Sequence, residues 1–333
     1  MQRFIDLAEL ETAAVRDLLA LARRLESTPE PRVLAGKVLG LLFMNPSLRT
    51  LASFQAGMAR LGGSSFVITP GQGTWNFETR LGTVMNGDRA EHVREGIPVL
   101  ASYADALGIR AFAEGVNLQT DLDETNFKTM AALVSGPLIN MESALNHPCQ
   151  ALADWKTLDE LKVPDRAKFV LSWVNHPRAL PLAVPAATMT MAAQRGMEVV
   201  VLRPEGFEIP APLAAKAQRL AQTAGGSFTE TTDRNAALRG AQVLYAKEWG
   251  STRHYGDAQG DAALRAGLAD WRVSEQWFAG SDARCHFMHC LPVRRNVAVV
   301  DSVLDGPRSV VLREAYNRMP AQMAVLHRML ANG

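Results

Sequence analysis

The sequence predicts an α/β protein made of two doubly wound parallel-sheet domains, and three observations carry that reading. Short apolar runs alternate with longer stretches whose apolar residues recur at helical spacing, as in residues 38–44 followed by 48–61. Strands separated by helices of this length need crossover connections, which give parallel sheets covered on both faces. The alternation restarts after a polar, proline-bearing break, Leu161-Lys162-Val163-Pro164-Asp165, placing a boundary near residues 160–168, and 333 residues with 47% hydrophobic side chains suffice for two cores.

In the first half, Leu7, Leu10, Ala14, Leu18, Leu21 and Leu25 fall on one face of a helix over residues 7–25. Residues 38–44 read as a buried strand, Asn45-Pro46-Ser47 as a turn, and Phe54, Met58 and Leu61 mark the next helix. A strand at 64–68, a helix at 91–106, a strand at 106–111, a helix including 129–134 and a strand at 137–141 follow. The second half has strands at 167–174, 198–202, 227–231, 243–246 and 284–288, and helices at 185–196, 211–224 and 234–238. A closing helix covers 314–330. In such sheets ligands gather beyond the carboxyl ends of strands, so the residues just past each strand are where chemistry is sought.

Thirty-five Lys+Arg against 34 Asp+Glu leave a formal charge of +1. No global field favours nucleic acid or an anionic membrane, and any anion site must be local. No apolar run approaches the roughly 18 residues of a spanning helix, and the amphipathic N-terminus is no secretory signal. Cys149, Cys285 and Cys290 cannot all pair and show no C-x-x-C spacing, which fits a reducing, cytoplasmic setting and argues against a zinc site.

Four segments carry residues suited to chemistry. Asn45-Pro46-Ser47-Leu48-Arg49-Thr50 stands where a strand gives way to a helix: first-turn amides and the helix dipole favour an anion, and Arg49 adds a fork suited to phosphate. Equally, Ser47 can simply cap the helix while Arg49 stays solvated. Neither G-x-x-x-x-G-K-[ST] nor a G-x-G-x-x-G after a strand is present, which weakens ATP and NAD as ligands. Arg110 ends a strand in Gly108-Ile109-Arg110 and is either a ligand or a surface ion-pair partner. In His147-Pro148-Cys149-Gln150, the histidine can polarise a carbonyl and the glutamine can bind an amide, or the histidine is structural. In His289-Cys290-Leu291-Pro292-Val293-Arg294-Arg295-Asn296, Cys290 is either an activated thiolate or inert filling. Lys247 after a strand and Arg318 in Asn317-Arg318 are, alone, ordinary charges.

Taken in order, Ser47-Leu48-Arg49-Thr50, Gly108-Ile109-Arg110, His147-Pro148-Cys149-Gln150, His289-Cys290-Leu291-Pro292 and Asn317-Arg318 resemble the aspartate/ornithine carbamoyltransferase family over nearly the whole chain. The chain lacks the Ser-Met-Gly loop of ordinary ornithine carbamoyltransferases and has Lys247-Glu248-Trp249-Gly250 instead. With Trp75 and the segment from His176-Pro177-Arg178 to Pro185, this resembles the branch acting on N-acetyl- or N-succinylornithine. The resemblance implies a carbamoyl-phosphate-binding domain at 1–150, with the terminal segment 314–333 packing back on it, and an acylornithine-binding domain at 151–313. It further implies a trefoil-knotted second domain, domain closure around the substrates, and a homotrimer whose sites are completed across subunits.

Acetyl and succinyl differ by a carboxylate, so the acyl pockets must differ in charge. In Gly87-Asp88-Arg89-Ala90-Glu91-His92, the resemblance puts glutamate at position 90 in the acetyl enzymes and a small or imino residue in the succinyl enzymes; here it is Ala90, which departs from the proline of the latter. Ala298 stands where acetyl enzymes carry lysine, and the spacing from Glu142 to His147 matches the succinyl type. The implied reaction is carbamoyl transfer from carbamoyl phosphate to the side-chain amine of N2-succinyl-L-ornithine in arginine biosynthesis. Alternatives are the acetyl acceptor, ordinary ornithine or aspartate as acceptor, and a non-catalytic ligand-binding paralogue.

By this resemblance Ser47, Leu48, Arg49, Thr50 and a neighbouring subunit's Trp75 hold the phosphate. Arg110, His147 and Thr50 stabilise the carbonyl oxygen, Gln150, Cys290 and Leu291 orient the carbamoyl amide, and Arg318 braces the anion. Ala90, Glu142, His176, Lys247 and Arg294 face the acylornithine, with Arg294 on the succinyl carboxylate and Arg295 next to it. No metal or organic cofactor is implied, because the amine attacks directly.

Overall fold

The computed structural model describes residues 1–331; the last two residues of the expected C-terminal segment, 332 and 333, lie outside the described residues. The chain divides into two compact units. Met1–Glu114, Gln119–Cys149 and the chain from Arg318 onward form the first, and Gly115–Leu118 with Gln150–Asn317 form the second.

The first unit contains, in chain order, strands β1 (Arg3–Phe4), β2 (Val38–Phe43), β3 (Ser64–Ile68), β4 (Phe77–Glu78), β5 (Glu91–His92), β6 (Ala106–Arg110) and β7 (Leu138–Glu142). Its helices are α1 (Thr12–Ser27), α2 (Leu48–Arg60), α3 (Val93–Ser102) and α5 (Thr125–Ala131), with the short α4 (Leu118–Leu122) before the last of these. The main sheet has the order β1-β7-β6-β2-β3 and every pairing in it is parallel, while β4 and β5 form a separate ribbon. Every residue of β6 and β7 is buried, as strands covered on both faces must be. Gly108 permits the close approach of β6 and β7: a Cβ there would meet Met141 Sδ at 2.9 Å.

The second unit continues with α6 (Pro148–Glu160), β8 (Lys168–Trp173), α7 (Ala183–Gln194), β9 (Glu198–Leu202), α8 (Ala211–Ala224), β10 (Ser227–Thr231), α9 (Arg234–Leu238) and β11 (Val243–Lys247). Then come α10 (Ala258–Ala266), β12 (His286–Met288), α11 (Asp301–Leu304) and α12 (Val311–Leu330), the last passing into the first unit at Arg318. Its sheet, β10-β9-β8-β11-β12, is again wholly parallel. The two expected parallel sheets are therefore present. Every residue of α7 is buried, which accounts for its lack of a polar face.

Three of the differences from the sequence expectation have clear local reasons. The first helix begins at Thr12, not residue 7, because Asp6 caps a separate turn by accepting the Ala8 amide at 2.9 Å. The helix expected over 91–106 is shortened to Val93–Ser102: Glu91–His92 pairs with β4, and His92 Nδ1 accepts the Arg94 amide at 3.1 Å as an N-cap. The polar break at 161–165 is a loop inside the second unit, not a unit boundary. Asp159 accepts from Arg195 at 3.1 Å and Gln150 donates to Glu314 at 3.2 Å, so α6 is tied to the later elements of its own unit. No helix among the described residues is long and apolar enough to cross a membrane.

Candidate active site

In the first sheet the chain proceeds from β2 to β3 on one side and through β6 to β7 on the other, so a crevice opens beyond the carboxyl ends of β2 and β6. The residues at those ends are the Ser47–Thr50 turn and Arg110, and His147 comes after β7. Ser47 does cap α2: its Oγ accepts the Thr50 amide at 3.3 Å and donates to Thr50 Oγ1 at 3.0 Å. The cap sets the helix start, whose first-turn amides and dipole favour an anion. Leu48 is 79% exposed, so its side chain is not packed in the core.

Two buried guanidinium groups stand near this turn. Arg318 Nη2 donates to Thr50 Oγ1 at 3.0 Å. Arg110 owes its direction to the sheet: the register between β6 and β7 shifts after Ile109, which sets Arg110 opposite Glu142. Its Nη1 donates to Glu142 Oε2, and that same oxygen lies 3.2 Å from His147 Nε2. Burial, followed by the charges of Arg318, Arg110 and Arg49, holds the His147 imidazole well below its usual range. It is therefore neutral at physiological pH, with one N–H to give. Burial also lowers Arg318, a cost that an anion bound beside it would offset.

The turn that delivers His147 is fixed by a residue the sequence pattern does not single out. Glu124 is buried with a left-handed φ of 52°. Its Oε1 accepts from Ser143 Oγ and from the Leu145 amide at 2.8 Å, and its Oε2 accepts from Asn146 Nδ2 at 3.1 Å. Asn140 Nδ2 adds a bond to Ser143 Oγ at 2.9 Å.

In the second sheet the order reverses between β8 and β11. His176 lies just past β8, Lys247 ends β11, and His289-Cys290-Leu291 stands just past the neighbouring β12. Lys247 Nζ is 3.0 Å from Glu248 Oε1, and Glu248 Oε2 is 3.5 Å from His289 Nε2. Burial alone would raise the Glu248 carboxyl, but Lys247 and His289 bring it below the ordinary carboxylate range, so it is ionised. Arg294 Nε donates to His176 Nε2 at 3.5 Å, and burial lowers the His176 imidazole. The Leu291 amide donates to His289 Nδ1 at 2.9 Å and Leu291 has a left-handed φ of 56°, a costly conformation of the kind found at binding sites. Burial pushes the Cys290 thiol up to about 12, so it is a protonated, weak donor and not a thiolate.

The first unit thus holds buried guanidinium groups at a helix start, and the second brings Lys247 beside Glu248 and Arg294 beside His176 near its strand ends. The chain matches the aspartate/ornithine carbamoyltransferase carbamoyl-P binding domain over residues 2–160 and the Asp/Orn binding domain of the same family over 184–329. The chain belongs to the aspartate/ornithine carbamoyltransferase family. It is a carbamoyltransferase. It is 36% identical over 331 residues to N-acetylornithine carbamoyltransferase of Xanthomonas campestris pv. campestris, covering 98% of this chain and 97% of that one. It is 37% identical over 294 residues to N-succinylornithine carbamoyltransferase of Bacteroides thetaiotaomicron, covering 88% and 87%. A solved N-acetyl-L-ornithine transcarbamylase in which alanine replaces a glutamate, complexed with carbamyl phosphate and N-succinyl-L-norvaline, superposes with a TM-score of 0.94 at 35% identity. That match covers 99% of this chain and 100% of that one.

The structure of this family member also places the remaining expected residues. Trp75 is 55% exposed, and its Nε1 donates to Glu91 Oε2 at 2.7 Å, so it sits on the same excursion as the exposed Ala90. Glu142 is buried against Arg110 and His147 in the first unit. Arg295 is paired with Asp301 at 2.8 Å and Asp305 at 2.7 Å on the exposed surface. Glu124, Asp154, Glu248 and Glu314 are buried acids that the sequence pattern does not place in the site. Only their adjacency to motif residues, as in Glu248 after Lys247, could have pointed to them.

Proposed function

We propose that this carbamoyltransferase acts on an N-acylornithine, transferring the carbamoyl group of carbamoyl phosphate to the side-chain amine of N2-succinyl-L-ornithine to give N-succinyl-L-citrulline and phosphate in arginine biosynthesis. The observation that carries the reading is the buried set in the first unit: Thr50 bonded to Arg318, and His147 kept neutral by burial among Arg318, Arg110 and Arg49. Such a cradle suits a dianionic phosphate whose attached carbonyl develops negative charge.

In this reading Ser47, Leu48 backbone, Arg49, Thr50 and Arg318 hold the phosphate. Arg110, His147 and Thr50 donate to the carbonyl oxygen as the tetrahedral intermediate forms, a stabilisation whose single-donor loss costs about 2.7–4 kcal/mol. Gln150, Cys290 and the Leu291 carbonyl orient the carbamoyl nitrogen. The neutral amine attacks the carbonyl carbon, the bond to the phosphate oxygen breaks, and the departing phosphate carries off the amine's proton as hydrogen phosphate; holding the two substrates together supplies much of the acceleration. His176, Lys247, Glu142 and Arg294 engage the acylornithine.

Ala90 supports succinyl over acetyl. A glutamate there would oppose a succinyl carboxylate at a cost on the order of several kcal/mol, and alanine removes that opposition. The relative in which alanine replaces a glutamate accepts N-succinyl-L-norvaline beside carbamyl phosphate, which is the same trade. Acetylornithine is the second reading, favoured by the N-acetylornithine carbamoyltransferase that matches the chain nearly end to end. The resemblance also favours a homotrimer in which the exposed Trp75 completes a neighbour's phosphate site. A knotted second unit is likewise part of the proposal, and the Gly250 amide bonded to the Leu180 carbonyl at 2.9 Å suits later chain running beside the proline-rich loop. The test is incubation of the purified protein with carbamoyl phosphate and each acceptor: ureido product and phosphate should form together with an acylornithine, and no product with any acceptor would refute the reading.

A further inference from the structure

The most heavily buried acid pair in the second unit has no part in the mechanism above. Asp154 on α6 and Glu314 on α12 are both fully buried. They share one donor: Gln150 Nε2 lies 2.7 Å from Asp154 Oδ1 and 3.2 Å from Glu314 Oε1. The other Glu314 oxygen, Oε2, accepts the His289 backbone amide at 2.9 Å. One carboxyl group thus joins Gln150 to the start of the His289-Cys290-Leu291 turn, two segments far apart in sequence.

Two carboxylates within reach of one amide nitrogen, out of water, cannot both be ionised without large repulsion. Burial, then the charge of Asp154, drives the Glu314 carboxyl well above its usual range. The buried Tyr245 hydroxyl is likewise raised, by burial and then by Asp154 and Glu314. Glu314 is therefore the member of the pair that holds a proton. Both acids accept from the glutamine, so the amide can lie only one way round, nitrogen toward the pair and carbonyl oxygen turned away. That polarity matches a ligand –NH2 group, which needs an acceptor.

We propose that Glu314, as a neutral acid paired with Asp154, is a positioning residue that fixes the orientation of Gln150 and the place of the Cys290 turn so that both address the carbamoyl nitrogen. The role rests on the carbamoyl-transfer reading for its ligand, whereas the Glu314 proton stands independently of it. Glu314→Gln keeps one oxygen, for the His289 amide, and a donor for Asp154, but sets an NH2 against Gln150 Nε2 and so loses one of the two contacts; Glu314→Ala removes both.

Three measurements test the proposal on the intact protein. Difference infrared spectra of wild type against Glu314→Gln should show loss of a protonated carboxylic-acid band, and only carboxylate bands lost would overturn the neutral acid even if no turnover were ever seen. In steady-state assays Glu314→Ala should raise the KM for carbamoyl phosphate about tenfold or more while moving the acylornithine KM little. Glu314→Gln, which keeps one of the two contacts, should fall between wild type and Glu314→Ala. Equal damage by Gln and Ala, or a fall in kcat and melting temperature with both KM values unmoved, would make the role structural and sink the proposal. Should Glu314→Ala not fold, Asp154→Asn replaces it, with the same selective rise in carbamoyl-phosphate KM expected and its absence counting against the pair. Failure of wild type to turn over refutes the carbamoyl-transfer reading instead, and the infrared result remains readable.

Discussion

Arg110 and Glu142 face each other because the β6–β7 register slips by one residue just before Arg110, and the Glu142 oxygen that accepts from Arg110 is also 3.2 Å from His147 Nε2. The slip turns the end of a buried strand into a charged corner. Lysine cannot reproduce the planar fork that this corner holds. Arg110→Lys is therefore expected to lower kcat by about 10²–10³-fold, as removal of one donor to a developing oxyanion does. Steady-state kinetics should show the acylornithine KM nearly unchanged, and a loss confined to that KM would contradict the assignment.

His147 gives a pH dependence with a definite sign. Its folded-state pKa is depressed by burial and then by three arginines, while in the unfolded chain it titrates near 6.5. Below about pH 6.5 the unfolded chain takes up a proton that the folded protein refuses, so this residue makes stability fall as pH falls. At neutral and alkaline pH the effect is absent. Urea midpoints measured from pH 7.5 down to 5.5 should decline more steeply in wild type than in His147→Gln; parallel curves would argue against a neutral buried imidazole.

Much of the fold is legible in the sequence where burial and periodicity agree. β3, β9, β10 and α8 stand where the pattern of apolar residues places them, because each is bounded by glycine, proline or charge. β1 is two residues long and is held by pairing with β7, a contact no local pattern announces. Within the site, the motif residues at strand ends are legible because strand ends are where doubly wound sheets bind. The acids that hold those residues are not: Glu124 reaches Ser143 across 19 residues and Glu314 reaches Gln150 across 164, and in the unfolded sequence each is indistinguishable from a surface charge.

Cys290 is expected to be chemically quiet. With its thiol pushed up to about 12 by burial, alkylation by iodoacetamide at pH 7 should be slow in the native protein and fast after denaturation. Cys290→Ala should raise the carbamoyl-phosphate KM yet leave turnover within about tenfold, since weak donors contribute little. Abolished turnover, or trapping of a carbamoylated cysteine, would make it a nucleophile.

Ser47 caps α2 and, in the proposed function, also holds the phosphate; one substitution separates the two. Loss of the cap in Ser47→Ala should cost about 0.5–2 kcal/mol of stability, read from denaturant midpoints. Loss of the phosphate partner should independently raise the carbamoyl-phosphate KM at full saturation with acceptor. A stability loss with no change in that KM would reduce Ser47 to a cap.

The proposed acceptor choice rests on the charge the acyl pocket tolerates, with the exposed Ala90 as the position proposed to set it. The deciding measurement is the ratio of kcat/KM for N-succinyl-L-ornithine and N-acetyl-L-ornithine, in wild type and in Ala90→Glu, at saturating carbamoyl phosphate. Wild type should favour the succinyl acceptor and Ala90→Glu should move the ratio toward acetyl by at least tenfold, the equivalent of about 1.4 kcal/mol. A wild-type preference for the acetyl acceptor, or a ratio that Ala90→Glu leaves unmoved, would contradict it.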